Sequence, residues 1–201
     1  MKHISVLLKE SIDGLNLKED SIVVDCTLGY GGHSSEILKR IKKGHLYAFD
    51  QDEEAIAFSS GRLSEIGDNF TIIHANFANL KEELEKRGIT KVDAILFDLG
   101  VSSPQLDEAD RGFSYHQDAK LDMRMDQTQA LSAYDVVNTF EEAELADIFY
   151  RYGEEKFSRS IAKNIVAARR EHPIETTLEL AEIIKNSVPE RVRRASHPAR
   201  K

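Results

Sequence analysis

The chain has 201 residues, 41% hydrophobic and 31% charged, with a formal net charge of −8 and one cysteine. That size gives one domain or two small ones with a real buried core. The lone Cys26 excludes an internal disulfide, and no stretch nears the ~18 apolar residues of a membrane span, so a cytoplasmic protein with no membrane partner is expected.

From the N-terminus, His3 to Glu10 mixes apolar residues with a short helical period and reads as a helix or arm. From Ser21 the chain alternates. A strand near 21–26 precedes a helix near 32–41, His45 to Asp50 is a strand, and a helix covers about 53–64. A strand over 70–74 then precedes a helix near 78–87, and Val92 to Asp98 is the fourth strand. Strands separated by helical patterns imply right-handed crossovers and a parallel sheet, with ligands at the strands' carboxyl ends.

The first strand runs into Gly29, Gly31 and Gly32 and then becomes helical, with Ser34 and Ser35 as candidate caps. Such a turn aims backbone N–H groups at a nucleotide-like ligand. A dinucleotide fingerprint starting at Gly29 requires glycine at 34, where this chain has Ser34. Asp25 would repel a diphosphate and attract a cationic or amine-bearing cofactor such as S-adenosylmethionine. The turn could instead serve helix–sheet packing alone. Asp25, Asp50 and Asp98 close three strands, and Asn76 and Phe77 follow the other. Asp50 is placed to accept from ribose hydroxyls or to cap a helix, and Phe77 to stack on adenine or simply to pack.

After Asp98, Leu99 to Leu106 reads as a turn-rich loop, and Asp110 to Ser114 has no period. Arg124 lies between Asp122 and Asp126, a substrate grip or a local ion-pair turn. From about 131 only helices are expected: 132–138, 141–150, 157–170 and 175–184, bounded by Pro173 and Pro189. Residues 151–201 hold 12 Lys and Arg against 7 Asp and Glu, whereas the first 150 hold 15 against 28. That asymmetry fits an acidic core with a basic contact surface, or two differently solvated faces. Arg159, Lys163, Arg169, Arg170, Arg191, Arg193, Arg194, Arg200 and Lys201 are candidate phosphate contacts. The seven histidines lack i, i+4 carboxylate or cysteine partners, so no metal site is expected.

Taken together, seven motifs occur in order: Asp25-x-Thr27-x-Gly29-x-Gly31-Gly32-His33-Ser34, Phe49-Asp50-Gln51-Asp52, Asp98 to Asp107, Arg111-Gly112-Phe113-Ser114, Leu121 to Asp126, Tyr152-Gly153-Glu154-Glu155 and His197-Pro198-Ala199. The whole chain thereby resembles the bacterial 16S rRNA cytosine-N4 methyltransferases, the RsmH/MraW family. The resemblance implies a Rossmann-like class I methyltransferase α/β fold with an inserted helical substrate-recognition domain. It implies methylation of a cytidine N4 amine in the decoding region of small-subunit rRNA, with S-adenosylmethionine as donor. By the family's pattern Gly31, Gly32 and His33 hold the cofactor, Asp50 its ribose and Phe77 its adenine side, while Asp98 and Gln105 complete the pocket. Asp98, with Ser102 in the following turn, is expected to orient the base and take up its developing charge.

Gln51 stands where many members carry Arg. Members also continue past His-Pro-Ala, so the chain is expected to be part of a protein about half as long again. Residues 1–106 would then form the cofactor-binding core and 107–201 a mainly helical RNA-recognition domain, with the fourth strand left as an edge that a second copy could cover in a homodimer. The alternatives are a nicotinamide-dependent oxidoreductase on the same fold, which Asp25 and Ser34 disfavour, and an inactive RNA-binding fragment.

Overall fold

The computed structural model describes residues 5–195 and 197–200. The chain divides into two compact units, Met1–Gly100 and Val101–Lys201. Each has its own hydrophobic core and is taken by itself.

In the first unit the elements are α1 (Leu8–Gly14), β1 (Ile22–Asp25), α2 (Gly32–Leu38), β2 (His45–Asp50), α3 (Glu53–Ser64), β3 (Phe70–His74), a 3-10 turn (Phe77–Asn79) leading into α4 (Leu80–Glu85), and β4 (Ala94–Leu96). The strands are parallel and lie in the order β3-β2-β1-β4. Helices cover both faces, which is why Ile22-Val23-Val24 is a continuous apolar run. Val23, Leu46 and Ala48 pack with Ile12, Ile37, Ile41 and Leu63. Val24, Phe49 and Ile73 pack with Cys26 and Leu84 in a separate cluster. This is the Rossmann-like parallel sheet expected, with β4 at its edge among the described residues.

The order has a consequence for ligand binding. The chain builds outward from β1 through β2 to β3, then returns to place β4 on the other side of β1. The crevice where winding reverses therefore opens at the carboxyl ends of β1 and β4, the position ligands take in such sheets.

Three boundaries differ from expectation. The fourth strand was expected over 92–98 and covers only 94–96, because a side chain replaces the ladder partner at each end. Ile22 N–H donates to the Asp93 carboxylate at 2.7 Å, and Asp98 N–H donates to the Thr27 hydroxyl at 2.7 Å. Helix α2 stops at Leu38 because Arg40 N–H turns to Ile37 O at 2.9 Å, a tightened last turn. The helix expected near 78–87 begins as a 3-10 turn, where Asn76 accepts from Ala78 N–H at 2.8 Å. At the N-terminus, His3 and Ile4 of the expected arm lie outside the described residues, and the helix itself starts at Leu8.

The second unit contains α5 (Ser103–Asp107), a 3-10 turn (Ala109–Arg111), α6 (Ala133–Thr139), α7 (Glu142–Arg151), α8 (Ser158–Ala168), α9 (Thr177–Asn186), α10 (Glu190–Ala195) and a last 3-10 turn (Pro198–Arg200). Its core joins Leu121, Val137, Leu145, Ile161, Ala162, Ile165, Ile174 and Val188. Helix α5 lies inside the stretch expected to be loop. Ser102 and Gln105 form a capping box around Pro104 in the first helical turn, which supplies the start signal that the run of turn-forming residues masks. The expected boundary at 106/107 would cut this helix. The buried Arg111 donates to Arg124 O at 3.2 Å and to Met125 O at 3.3 Å, pinning the irregular segment that follows.

Candidate active site at the strand tips

The order β2-β1-β4 brings Asp50, Asp25 and Asp98 to adjacent strand ends although 73 positions of sequence separate the outer members of the set in chain order, 25 and 98. The ladders continue past the strands to fix them. Cys26 N–H donates to Leu96 O at 2.9 Å and Leu28 N–H to Phe49 O at 2.9 Å. The turn then runs through two left-handed residues, Gly29 (φ 50°) and Gly31 (φ 72°), the conformation in which a side chain is strained.

Asp25 does not play the part expected of it. Its exposure is 1% and both carboxylate oxygens are engaged: Thr27 N–H donates to Oδ1 at 3.1 Å and Ser34 Oγ–H to Oδ2 at 2.7 Å. Burial pushes its pKa above the usual carboxylate range, partly opposed by these two bonds and by the nearby His33 ring. Asp25 anchors the turn. Ser34 and Ser35, expected as caps, lie inside α2, whose N-cap is Gly31. Ser34 is thus free to hold Asp25. Next to Asp25, burial pushes the Cys26 thiol up to about 12, so that it is a structural group rather than a nucleophile.

Asp50 faces the turn. Gly29 N–H donates to Oδ2 at 2.7 Å and Asp52 N–H to Oδ1 at 2.9 Å. Desolvation raises its pKa while these two donors restrain the rise. The Gln51 N–H is a third donor to this carboxylate, and of its roughly four acceptor positions one is left for a hydroxyl. The helix cap is the neighbouring Asp52, which accepts from Glu54 N–H at 3.1 Å.

Asp98 is the open carboxylate of the three, with a side chain 47% exposed. Its backbone hangs on the Thr27 hydroxyl, and its Oδ2 lies 3.7 Å from His33 Nδ1. His33 is buried, and its Nε2 has no hydrogen-bond partner among the described residues. Asp25, Thr27, Asp98 and His33 thus form one connected polar set. Thr27 was quoted in the sequence pattern without a role; the signal that could have found it is a hydroxyl two residues past a strand-end carboxylate.

At the flank, Phe77 meets Phe97 edge to face at 5.5 Å and is half-buried against the Val24 cluster. Asn76 Nδ2 donates to Gln51 Oε1 at 2.9 Å, tying the loops after β3 and β2. On the other side of the turn, Ser59 Oγ–H donates to Gly29 O at 2.6 Å and Arg62 to Tyr30 O at 2.8 Å. A Cβ at Gly32 would collide with the Ser5 hydroxyl.

The remaining two expected site residues, Ser102 and Gln105, belong to the second unit. The Ser102 hydroxyl accepts from Gln105 N–H at 3.3 Å, and Gln105 Oε1 accepts from Ser102 N–H at 3.0 Å. Arg124 makes a two-point contact with Asp122, at 3.0 and 2.7 Å, so the local ion-pair turn describes this motif. Among the described residues no cluster of His, Cys, Asp or Glu is suited to a metal, and no helix is long and apolar enough to cross a membrane.

A Rossmann-like parallel sheet with a glycine turn after β1 and an acidic residue at the end of β2 defines the class: a nucleotide-cofactor-binding α/β unit. Within it the chain belongs to the MraW methylase family, whose model matches residues 1–201. It is 59% identical over all 201 residues to the ribosomal RNA small subunit methyltransferase H of Exiguobacterium sibiricum, spanning 64% of that protein. It is 57% identical to the protein of the same name from Clostridium botulinum, spanning 65% of it. A solved rRNA methylase from Streptococcus thermophilus aligns at a TM-score of 0.41 and 32% identity, over 49% of this chain and 57% of that one.

Proposed function

We propose that the chain carries the cofactor-binding part of an S-adenosylmethionine-dependent methyltransferase of small-subunit rRNA. We further propose that the acceptor is the exocyclic N4 amine of a cytidine in the decoding region of 16S rRNA, modified in the cytoplasm. The observation that carries the reading is the set of strand-tip carboxylates at the point where sheet winding reverses, one buried, one hydrogen-bonded to the glycine turn and one open.

The residues fit the cofactor. Asp50 retains acceptor capacity for a ribose hydroxyl, the Phe77–Phe97 pair offers apolar edge and face to a purine, and the left-handed Gly29 and Gly31 leave the backbone bare on either side of Tyr30, whose ring is held by Phe58. The open Asp98 carboxylate favours a nearby positive charge. When bound, S-adenosylmethionine supplies an activated methyl group on a sulfonium centre.

The chain's own work is positioning and proton handling. Cytosine N4 is a poor nucleophile because its lone pair is delocalised into the ring. Fixing the amine in a reactive position would contribute up to ~7–11 kcal/mol. Asp98 accepts a hydrogen bond from that amine and takes up its developing positive charge, with His33 Nδ1 orienting the carboxylate. The base must be flipped or already unstacked to reach it. Ser102 and Gln105 contribute by fixing the first turn of α5 through their capping box. The cation-rich stretch 151–201 of the helical unit takes the RNA, and the exposed Ile95 and Leu99 along the β4 edge favour a homodimer, which a monomer in sedimentation would exclude.

Incorporation of labelled methyl from S-adenosylmethionine into under-modified small subunits tests the reading. Asp98→Ala is expected to lower transfer by about 10²–10⁴ with the fold retained. Full activity in that variant rejects the role. Calorimetry should show S-adenosylmethionine binding and no nicotinamide cofactor binding.

A further inference from the structure

The motif at His197-Pro198 has been given no role so far, and the second unit gives it a setting of its own. A cleft of about 520 Å³ is lined by Lys156, Phe157, Val192, His197, Pro198 and Arg200. The His197 ring stacks on Tyr115, with centroids 4.7 Å apart and planes 18° from parallel. Tyr115 also meets His116, at 4.2 Å and 41°. Both histidine rings are exposed and Tyr115 is half-buried, so the row of rings is supported from within and open outside.

The charges at the cleft have one sign at its surface. Lys156 and Arg200 are exposed and have no ion pair among the described residues, whereas Arg151, Lys185 and Arg194 are each paired along their own helices. The acidic member, Glu155, is buried and accepts from Phe157 N–H at 2.8 Å. Arg193 donates weakly to Asn186 Oδ1 at 3.4 Å, and its Nε has no hydrogen-bond partner among the described residues.

We infer that this cleft, with its Tyr115–His197 stack and unpaired Lys156 and Arg200, is a binding site for single-stranded RNA. An unstacked base extends the ring stack at His197, and the neighbouring phosphates lie on Lys156 and Arg200. Flat rings accept any base face, and unpaired cations track a phosphate backbone, which together recognise single strands without a sequence code. A duplex keeps its bases stacked on each other and offers the rings nothing. The inference rests on the reading that the substrate is RNA, and it names a place on the second unit where an RNA strand is held.

The test uses the full chain and a single-stranded RNA oligonucleotide carrying 2-aminopurine, followed by anisotropy and by quenching of the base on stacking. His197→Ala is expected to weaken binding roughly tenfold or more and to reduce the quenching, while His197→Phe, which keeps a ring, restores both. Tyr115→Phe should bind as the parent does. Lys156→Gln with Arg200→Gln should lower the salt slope by about 1.4, two phosphates at ~0.7 each for a single strand. Unchanged RNA affinity in His197→Ala, no rescue by His197→Phe, or equal competition by duplex RNA overturns the inference. S-adenosylmethionine calorimetry on the same samples separates the two readings: variants that bind RNA like the parent while the parent binds cofactor sink the cleft alone, and a parent that binds neither sinks both.

Discussion

The two units put their distant polar contacts to different use. In the first unit the polar contacts join distant parts of the chain: Asp98 to Thr27, Asp50 to Gly29, His33 to Asp98. In the second unit the distant polar contacts tie helices and loops together, Thr177 to Gln117, Asn138 to Ile174 and Arg169 to Val137, while in both units charged pairs such as Arg40 with Glu36, Arg151 with Asp147 and Arg194 with Glu190 stay within one helix. Exposed local pairs of that kind add little stability and are screened by salt. The difference teaches where chemistry can reside: parallel strands converge distant side chains at one edge of the sheet, whereas the helical unit uses such contacts to pack its helices and carries its excess of cations only over residues 151–201.

That comparison can be broken most forcefully through the cores. Phe49→Ala in the first unit should cost about 3–5 kcal/mol and Leu145→Ala in the second about 2–5 kcal/mol, both being fully buried. Calorimetry should then find cofactor binding lost in the Phe49 variant and kept in the Leu145 variant. Loss in both would show that the strand-tip site is not the first unit's own.

A smaller effect is expected at the turn. Gly31→Ala forces a side chain into the left-handed region and sets its Cβ 3.2 Å from Ser59 Oγ, costing about 1–2 kcal/mol. Since that strain falls on the turn, cofactor affinity should fall with stability. A variant that melts earlier yet binds the cofactor unchanged would limit Gly31 to packing.

The finest test is pH. Burial raises the pKa of Asp25 in the folded chain, so its protonated form favours folding. Its contribution is complete below the ordinary carboxylate value of roughly 4 and is lost as pH rises through the raised folded value. Urea midpoints for the parent should therefore decline over that window more than those of Asp25→Asn. The second unit offers an opposite control. The Arg124 guanidinium holds Asp122 below the usual range, so stability from that pair is present above roughly pH 4 and lost as pH falls through the lowered value. Parallel profiles for Asp25→Asn and the parent would remove the buried-carboxylate argument.

Much of this was legible in the sequence. The strands at 45–50 and 70–74 and the helix at 53–64 have the bounds that periodicity gives, because long apolar runs and a capping Asp52 leave little choice. Asp50 was legible for the same reason, as an acid closing a strand. Helix α5 was not, since its cap residues are also turn formers and only the reciprocal Ser102–Gln105 bonds decide between the two.

What the sequence determined alone is the alternation that makes a parallel sheet, the glycine turn after β1 and the excess of cations in the last fifty residues, all local properties of composition and period. Only the tertiary structure decided which acid is open. Asp25, Asp50 and Asp98 are chemically alike along the chain, but strand order gives Asp25 the centre, where packing closes it from solvent and Ser34 and Thr27 hold it, and leaves Asp98 at the end of β4, where its side chain is exposed. Burial is a property of neighbours in space, and period along the chain does not specify them.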